Sequence, residues 1–276
     1  MGFAALQPHS MRTRRFVAAR APAKINLILE VLDQRPDGFH DIRSLAIGIG
    51  LYDRLTCSWP NSVGLTLNSS DPTLHSDNNL ASRAALMLAR RAGCDPQVEI
   101  DLEKRIPIGA GLGGGSSDAA TTMRLCNELW GAGVTELEMG HMGAELGSDV
   151  PLFFHLPAVA MSGRGECVAP LSLRWRGFIL LVFPGIHVST ADVYKAWRKE
   201  DGTSSASITF EEIQGVSRAD ELHDRIHNQL EPAIYRVCPR VKQARVQIAR
   251  QRLRQMLQHL LRLARMIGGQ RLLLRF

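Results

Sequence analysis

Apolar and polar positions along the chain alternate with two different periods. Val98, Ile100 and Leu102 alternate with polar residues, which predicts a strand with one buried face. Residues 78–93 carry apolar side chains at helical spacing, between an asparagine that can cap the start and Gly93, which predicts a helix. By the same criteria we expect further strands over 16–32, 45–59, 63–69 and 176–183. We also expect three further helices: one that ends at about Trp130, one within 135–147 and one that starts at Ser189.

Proline and glycine residues mark the expected interruptions of these elements. The pair Ala21-Pro22 is expected to divide residues 16–32 into two strands, at a bulge or a sheet edge, because proline lacks a backbone donor. Pro36-Asp37-Gly38 predicts a turn. The succession of short strands and interspersed helices predicts an α+β fold with mostly antiparallel sheets.

The composition of the chain narrows the classes of function. With 276 residues and 45% apolar positions, it can form one large domain or two of modest size. Ten of the 33 lysines and arginines follow Pro239, where no acidic residue occurs, so the rest of the chain has 23 basic against 27 acidic residues. Nucleic-acid binding is therefore not predicted from the net charge of +6.

Targeting signals and paired cysteines are not expected. No apolar run reaches the length of a membrane span, and the first residues do not read as a signal peptide, with Met11 as an alternative start to Met1. The five cysteines are widely spaced and include no CxxC pair. A cytoplasmic protein without a disulfide framework is the expectation.

The segment "PIGAGLGGGSSDAATTM", residues 107–123, indicates a binding function more strongly than any other part of the sequence. Its glycines can adopt positive φ and leave room for a ligand, so that successive backbone N–H groups can bind an anion. Ser116 and Ser117 are expected to cap the following helix, with Asp118 in its first turn. We therefore predict a loop that binds a di- or triphosphate.

Other interpretations of this loop are weaker. The P-loop pattern requires a Gly-Lys-Ser/Thr ending, and no lysine is present. Gly109, Gly111 and Gly114 fit the dinucleotide-binding fingerprint, but the preceding strand alternates with charged residues, whereas the first strand of that fold is buried on both faces. A glycine-rich hinge without a ligand stays open as a further alternative.

Three segments together resemble a known family. "PIGAGLGGGSSDAA" is similar to the ATP loop of the GHMP kinase superfamily, and "APAKINLILEVLDQRPDGFHDIRSL" and "LGSDVPLFF" resemble motifs of its 4-diphosphocytidyl-2-C-methyl-D-erythritol kinase family. The resemblance covers about residues 21–195. It implies a two-domain fold, with an N-terminal ATP-binding domain over 16–160, a C-terminal domain over 161–276, and an active-site cleft between them.

The resemblance also implies an activity: ATP-dependent phosphorylation of a hydroxyl of 4-diphosphocytidyl-2-C-methyl-D-erythritol, in non-mevalonate isoprenoid biosynthesis. By their positions in the motifs, Lys24 and Asp149 match the family's catalytic residues. Their chemistry fits these roles, since a carboxylate can accept the hydroxyl proton and an ammonium can neutralise phosphoryl charge. Magnesium is expected with ATP, and Ser117 and Glu145 are possible ligands, neither of them favoured. The ATP-binding positions are Pro107, Ile108, Gly109, Ala110, Gly111, Leu112, Gly113, Gly114, Gly115, Ser116 and Ser117.

Four residues are candidates for contact with the cytidylyl substrate, and three of them match family positions with that role. His40 corresponds to a residue that reads the cytosine edge, and Phe39 and Tyr194 to aromatic side chains that stack on the base. Asn26 lies on the same strand face as Lys24 and could contact the substrate or fix the lysine. Core packing is the alternative for the two aromatic residues, and a hydrogen bond to a neighbouring loop is the alternative for Asn26.

The C-terminal segment departs from the family. After about residue 243 the sequence is rich in arginine and leucine, and it lacks the third glycine-rich motif of GHMP kinases. It is interpreted either as an altered end or as a basic amphipathic helix for a membrane surface or a partner. The alternative function is thus a catalytically impaired nucleotide-binding homologue that uses this tail for binding.

Overall fold

The computed structural model describes residues 15–74, 78–175, 177–202, 210–218, 221 and 225–251. Strands β1–β7 span Phe16–Gln34, His40–Ser58, Leu65–Ser69, Val98–Glu103, Ala158–Ser162, Cys167–Pro170 and His227–Asn228. Helices α1–α7 span Leu80–Ala92, Gly114–Trp130, Glu136–Leu146, Thr190–Ala196, Phe210–Gly215, Glu231–Val237 and Pro239–Gln251.

The strands form a seven-stranded sheet in the order β3-β4-β2-β1-β7, with β5 paired to β2 and β6 paired to β5. Pairing is antiparallel except between β3 and β4 and between β1 and β7. The predicted α+β class with mostly antiparallel strands is confirmed. The predicted domain boundary between residues 160 and 161 falls inside β5 and stays a prediction.

Strand β1 is continuous, so the prediction of two strands separated at Ala21-Pro22 is wrong. Pairing with β2 shifts register between Pro22 and Ala23, and again between Asn26 and Ile28. A bulge accommodates the missing proline donor without ending the strand. The predicted bulge is therefore present, whereas the predicted break is not.

Helix α1 confirms the predicted caps. The Asn79 side chain accepts a hydrogen bond from the backbone N–H of Ala81 at 2.9 Å, and Gly93 ends the helix at φ 66°. The alternation predicted for β4 is also confirmed, since Val98, Ile100 and Leu102 are buried. These elements were predictable because local signals determine them.

Helix α2 begins earlier than predicted. Its N-cap is Gly113, in the left-handed conformation at φ 69°, and no side chain caps the helix. Ser116 and Ser117 therefore lie in the first turn and are not the cap. The glycine conformation turns the chain directly into the helix, which a residue with a side chain rarely allows.

The main core lies between the sheet and helices α1, α2 and α3. Leu55 of β2, Leu88 of α1 and Met123 of α2 are almost fully buried within it. This packing places the start of α2 against β1, since both α2 and β1 are anchored to the same core. None of the helices in the described part of the chain combines the length and apolar character that crossing a bilayer requires.

The predicted strand at 176–183 is wrong for the described residues 177–183, which have no regular structure. Four of their apolar side chains are between 37% and 48% exposed: Phe178, Leu181, Val182 and Phe183. A strand is held by hydrogen bonds to a neighbour, and no strand in the described ranges pairs with this segment. The predictions for the tail beyond Gln251 lie outside the described residues.

Candidate active site

Lys24 and Asp149, the predicted catalytic pair, form an ion pair. The Nζ atom of Lys24 lies 3.1 Å from Oδ2 of Asp149. Lys24 projects from β1, and Asp149 lies in the turn between α3 and the 3-10 turn Pro151–Phe154. The lysine side chain is 9% exposed and the aspartate side chain 35%, so the carboxylate remains accessible to a ligand while the ammonium is largely removed from water.

Asn26 joins this pair. Lys24 donates a hydrogen bond from Nζ to Oδ1 of Asn26 at 2.7 Å, as expected for two residues on the same strand face. The Asn26 amide nitrogen donates in turn to Oγ of Ser44 at 2.7 Å. The structure thus places Asn26 as a partner of the lysine, and it adds Ser44, which no sequence motif indicated.

The glycine-rich loop passes directly beside Lys24. The backbone N–H of Lys24 donates to the carbonyl of Leu112 at 2.9 Å. A Cβ atom at Gly113 would lie 2.9 Å from Cγ of Lys24 and 2.9 Å from Cζ of Phe153. A glycine is therefore required here both for its positive φ of 69° and for the space that it leaves.

The loop and the start of α2 form a site suited to an anion. Gly109, Gly111 and Gly113 all have positive φ, between 69° and 73°. Because no side chain caps α2, the first amides of this 17-residue helix are available to a ligand. The positive end of the helix dipole adds to their affinity for a phosphate.

His187 lies over the other end of the loop. A Cβ atom at Gly109 would lie only 1.8 Å from Nδ1 of His187, so the imidazole occupies the space that a side chain would need. His187 belongs to the segment between Gly185 and α4 and is exposed. This residue was not predicted, because nothing in its local sequence indicates which loop it contacts.

Asp118 of α2 belongs to a cluster of buried charged side chains, together with Lys104 and Asp53. The Lys104 ammonium contacts Oδ2 of Asp118 at 2.7 Å and Oδ2 of Asp53 at 2.5 Å. Asp53 also accepts hydrogen bonds from the backbone N–H groups of Arg105 and Ile106. Asp118 was predicted in the first turn of α2, but it lies beyond that turn because the helix begins at Gly114. Its partners are Asp53 of β2 and Lys104, which directly follows β4, and neither was predicted.

Burial determines the charge of this cluster. Burial raises the pKa of Asp118 to about 7, Lys104 opposes that rise, and the nearby Asp53 adds to it. Burial lowers the pKa of Lys104, but its two aspartate partners outweigh this effect and raise it. One ammonium cannot neutralise two buried carboxylates, so Asp118 retains a proton well above the usual range of a carboxyl group. Asp118 Oδ1 and Ser117 Oγ are buried and without a hydrogen-bond partner.

Two of the predicted substrate residues, His40 and Tyr194, are in contact. The rings of His40 and Tyr194 stack with centroids 5.7 Å apart, and Trp197 contacts His40 edge-on at 5.4 Å. Burial raises the pKa of Tyr194 to about 12, and the nearby Asp149 carboxylate adds to that rise. Tyr194 thus approaches both His40 and Asp149, although it lies on α4, beyond the predicted boundary.

Phe39 is not a core residue, because its side chain is 51% exposed. The guanidinium of Arg164 lies 4.8 Å from the centre of its ring. Phe39 directly precedes His40, at the start of β2. One face of the ring is therefore covered by a cation, whereas the ring as a whole is accessible.

Ser117 and Glu145, the possible magnesium ligands, differ in exposure, and their role stays a prediction. Ser117 is fully buried within the first turn of α2, and Glu145 is exposed on α3. In the ranges that the structure describes, no three His, Cys, Asp or Glu side chains form a group that could hold a metal ion.

Comparisons with known proteins agree with this geometry. Residues 79–156, which include α2 and Asp149, match the GHMP kinases N terminal domain. A 4-diphosphocytidyl-2-C-methyl-D-erythritol kinase from Shouchella clausii is 36% identical over 84% of this chain and 78% of its own length. A corresponding enzyme from Geobacter sp. is 39% identical over 77% of this chain and 75% of its own length.

A solved structure extends the similarity to three dimensions. The crystal structure of a 4-(cytidine 5'-diphospho)-2C-methyl-D-erythritol kinase superimposes with a TM-score of 0.69 at 35% identity, covering 84% of this chain and 82% of its own. On these similarities, together with the glycine loop and the Lys24–Asp149 pair, the chain belongs to the 4-diphosphocytidyl-2-C-methyl-D-erythritol kinase family of the GHMP kinases.

Proposed function

We propose that this chain transfers the γ-phosphoryl group of ATP to a hydroxyl of 4-diphosphocytidyl-2-C-methyl-D-erythritol, a step in non-mevalonate isoprenoid biosynthesis. Family membership supports a small-molecule kinase of this specificity. The observation that carries the proposal is the 3.1 Å contact between Lys24 and Asp149 beside the glycine loop. A carboxylate and an ammonium at the end of a phosphate-binding loop are the groups that phosphoryl transfer to an alcohol requires.

In the proposed reaction Asp149 accepts the proton of the attacking hydroxyl. Its side chain is 35% exposed, so a substrate hydroxyl can approach the carboxylate. The Lys24 ammonium, held between Asn26 and Asp149, keeps the carboxylate oriented and faces the negative charge of the transferred group. Because Lys24 is largely buried, its charge is screened little by water and acts strongly on nearby phosphate oxygens.

The proposed ATP site is formed by residues 107–117. The amides at the start of α2 and the glycines at positive φ would bind phosphate oxygens. Magnesium, when bound with ATP, neutralises phosphate charge. Ser117 and Glu145 stay the possible protein ligands of this ion, and neither of them is favoured.

The proposed cytidine site lies around His40. Its imidazole can donate or accept a hydrogen bond at a pyrimidine edge, and the ring is positioned by Tyr194 and Trp197. Phe39, which is half-exposed, offers an aromatic face to the base. In this proposal Tyr194 supports His40 and also bounds the cleft near Asp149.

We place the reaction in the cytoplasm. All five cysteines are free thiols, two of them exposed. Free exposed thiols fit a reducing compartment.

Release of ADP tests the proposed function. The full chain is incubated with ATP, magnesium and 4-diphosphocytidyl-2-C-methyl-D-erythritol, and the substrate is omitted or replaced by mevalonate or homoserine in the controls. We expect ADP release that depends on the cytidylyl substrate and is inhibited by CTP. ATP binding without substrate-dependent ADP release would contradict the proposal and favour a catalytically impaired nucleotide-binding homologue.

A further inference from the structure

A continuous series of hydrogen bonds runs from Lys24 into the interior of the sheet. Lys24 Nζ donates to Asn26 Oδ1 at 2.7 Å, and Asn26 Nδ2 donates to Ser44 Oγ at 2.7 Å. Ser44 Oγ donates to the backbone carbonyl of Ile28, also at 2.7 Å. The series connects an accessible ion pair with a residue that has no exposed surface.

The direction of each bond follows from the chemistry of the groups. A lysine ammonium only donates, so Asn26 must present its carbonyl oxygen to Lys24. Its amide nitrogen then faces Ser44, which must accept that hydrogen bond. The Ile28 carbonyl can only accept a hydrogen bond, so the Ser44 hydroxyl must be the donor to it. At position 44 a hydroxyl is therefore needed, because the group must accept and donate at the same time.

The local strand geometry brings these groups together. Asn26 pairs with Ala46 and Ile28 pairs with Leu45, so Leu27 is an extra residue on β1. This bulge changes the direction of β1 next to Asn26. Ser44 lies opposite Leu29 on one side and Met161 on the other, in the middle of three strands. Its hydroxyl is completely buried, so loss of the oxygen would leave a polar amide without its partner.

We propose that Ser44 is a positioning residue, which acts on the reaction through Asn26 and Lys24 without touching a substrate. This inference rests on the proposed function. Ser44 fixes the orientation of the Asn26 amide, and Asn26 fixes one of the three donors of the Lys24 ammonium. A second donor faces Asp149, which leaves the third for a phosphate oxygen. Without Ser44 the Asn26 amide can rotate, and the ammonium loses its fixed direction.

Kinetics of Ser44→Ala test this role, with Ser82→Ala as the matched control, since Ser82 is a buried serine of α1 outside the site. We expect Ser44→Ala to lower kcat about 10- to 100-fold, with KM values for both substrates changed by less than about twofold. Ser82→Ala should retain the parent kcat. A kcat of Ser44→Ala equal to that of Ser82→Ala would overturn the inference.

A double-mutant cycle separates positioning from a general structural effect. If Ser44 acts through Asn26, adding Ser44→Ala to Asn26→Ala should lower kcat no further. Effects that multiply in the double variant would show that Ser44 acts independently of Asn26, and the inference would be wrong. Thermal unfolding of each variant identifies any loss of activity that comes from unfolding alone.

A measurement that does not depend on catalysis allows the role of Ser44 to be tested separately from the proposed function. The side-chain amide of Asn26 is hydrogen-bonded to Ser44, so its ¹⁵N-bound protons should exchange slowly with solvent. We expect faster exchange in Ser44→Ala but not in Ser82→Ala. Absence of turnover in the parent chain would contradict the proposed function, whereas unchanged exchange in Ser44→Ala would contradict the positioning role.

Discussion

Lys24 and Asp149 lie 3.1 Å apart, although one belongs to β1 and the other follows α3. The contact is possible because α2 and α3 pack on the same core as the sheet, which brings the turn after α3 to the face of β1. The lysine side chain is largely buried, whereas the aspartate side chain is 35% exposed and can be reached by a ligand.

Replacement of Lys24 should impair chemistry far more than folding. In Lys24→Met we expect kcat to fall about 100- to 1,000-fold, because a preorganised positive charge beside the transferred group is lost. Steady-state ADP release measures this effect. Lys199→Met is the matched control, since Lys199 is highly exposed and pairs with Asp33 at the surface. Equal kcat values for the two variants would show that the Lys24 charge is not used.

Gly113→Ala should abolish tight ATP binding. The new Cβ atom would lie 2.9 Å from Lys24 and Phe153, at a φ of 69° that alanine adopts poorly. Gly133 has the same φ but nothing within 4 Å of its Cβ position, so Gly133→Ala separates backbone strain from the clash. Calorimetric titration with ATP should show a loss of at least about tenfold in affinity for Gly113→Ala alone. Equal ATP affinities of Gly113→Ala and Gly133→Ala would show that the close approach of the loop to Lys24 and Phe153 is not required for ATP binding.

His40→Ala should weaken binding of the cytidylyl substrate and leave ATP binding unchanged. One lost polar contact to a base in a partly buried site corresponds to about 1–3 kcal/mol, or roughly 5- to 150-fold in affinity. His141→Ala is the control, because His141 is exposed on α3. The prediction fails if the His40 variant binds the substrate as tightly as the parent in equilibrium titrations.

Asp118 should make stability depend on pH. Its pKa is raised from 3.8 to about 7 in the folded protein, so between these values the folded chain keeps a proton that the unfolded chain loses. The free energy of unfolding therefore falls as the pH rises from about 4 to 7, by up to about 1.4 kcal/mol per pH unit. Above pH 7 this group causes no further decrease. Asp118→Asn removes this titration.

Urea unfolding at pH 5 and pH 7.5 measures the effect. The free energy of unfolding of Asp118→Asn, relative to that of the parent, should be higher at pH 7.5 than at pH 5. Asp95→Asn, at an exposed position, is the control for a general effect of charge. A stability difference between parent and Asp118→Asn that is the same at both pH values would contradict the raised pKa.

The sequence predicted best those features that neighbouring residues determine. The cap of α1, the alternation of β4 and the turn at Gly38 depend on residues within a few positions of one another. The family motifs placed Lys24 and Asp149 in one site, and strand periodicity placed Asn26 beside Lys24. The structure brings all three within hydrogen-bond or ion-pair distance. Their roles in catalysis stay predictions.

Features that depend on distant partners and lie outside the family motifs were not predicted. An apolar run such as 177–183 becomes a strand only if another strand lies beside it, and apolarity alone cannot establish that. The same limit explains why Ser44 and Lys104 were missed, since their importance comes from contacts with Asn26 and Asp118. An isolated serine or lysine carries no such information in its local sequence.

Substrate-dependent ADP release by the parent chain and by Asp149→Asn tests the central claim most directly. Asparagine keeps the shape of the side chain but cannot accept the hydroxyl proton, so we expect kcat to fall about 100- to 10,000-fold, while ATP affinity stays within about threefold because the glycine loop is intact. Asp192→Asn, at an exposed position of α4, is the matched control and should retain the parent kcat. An Asp149→Asn variant that turns over as fast as the parent chain would contradict the account.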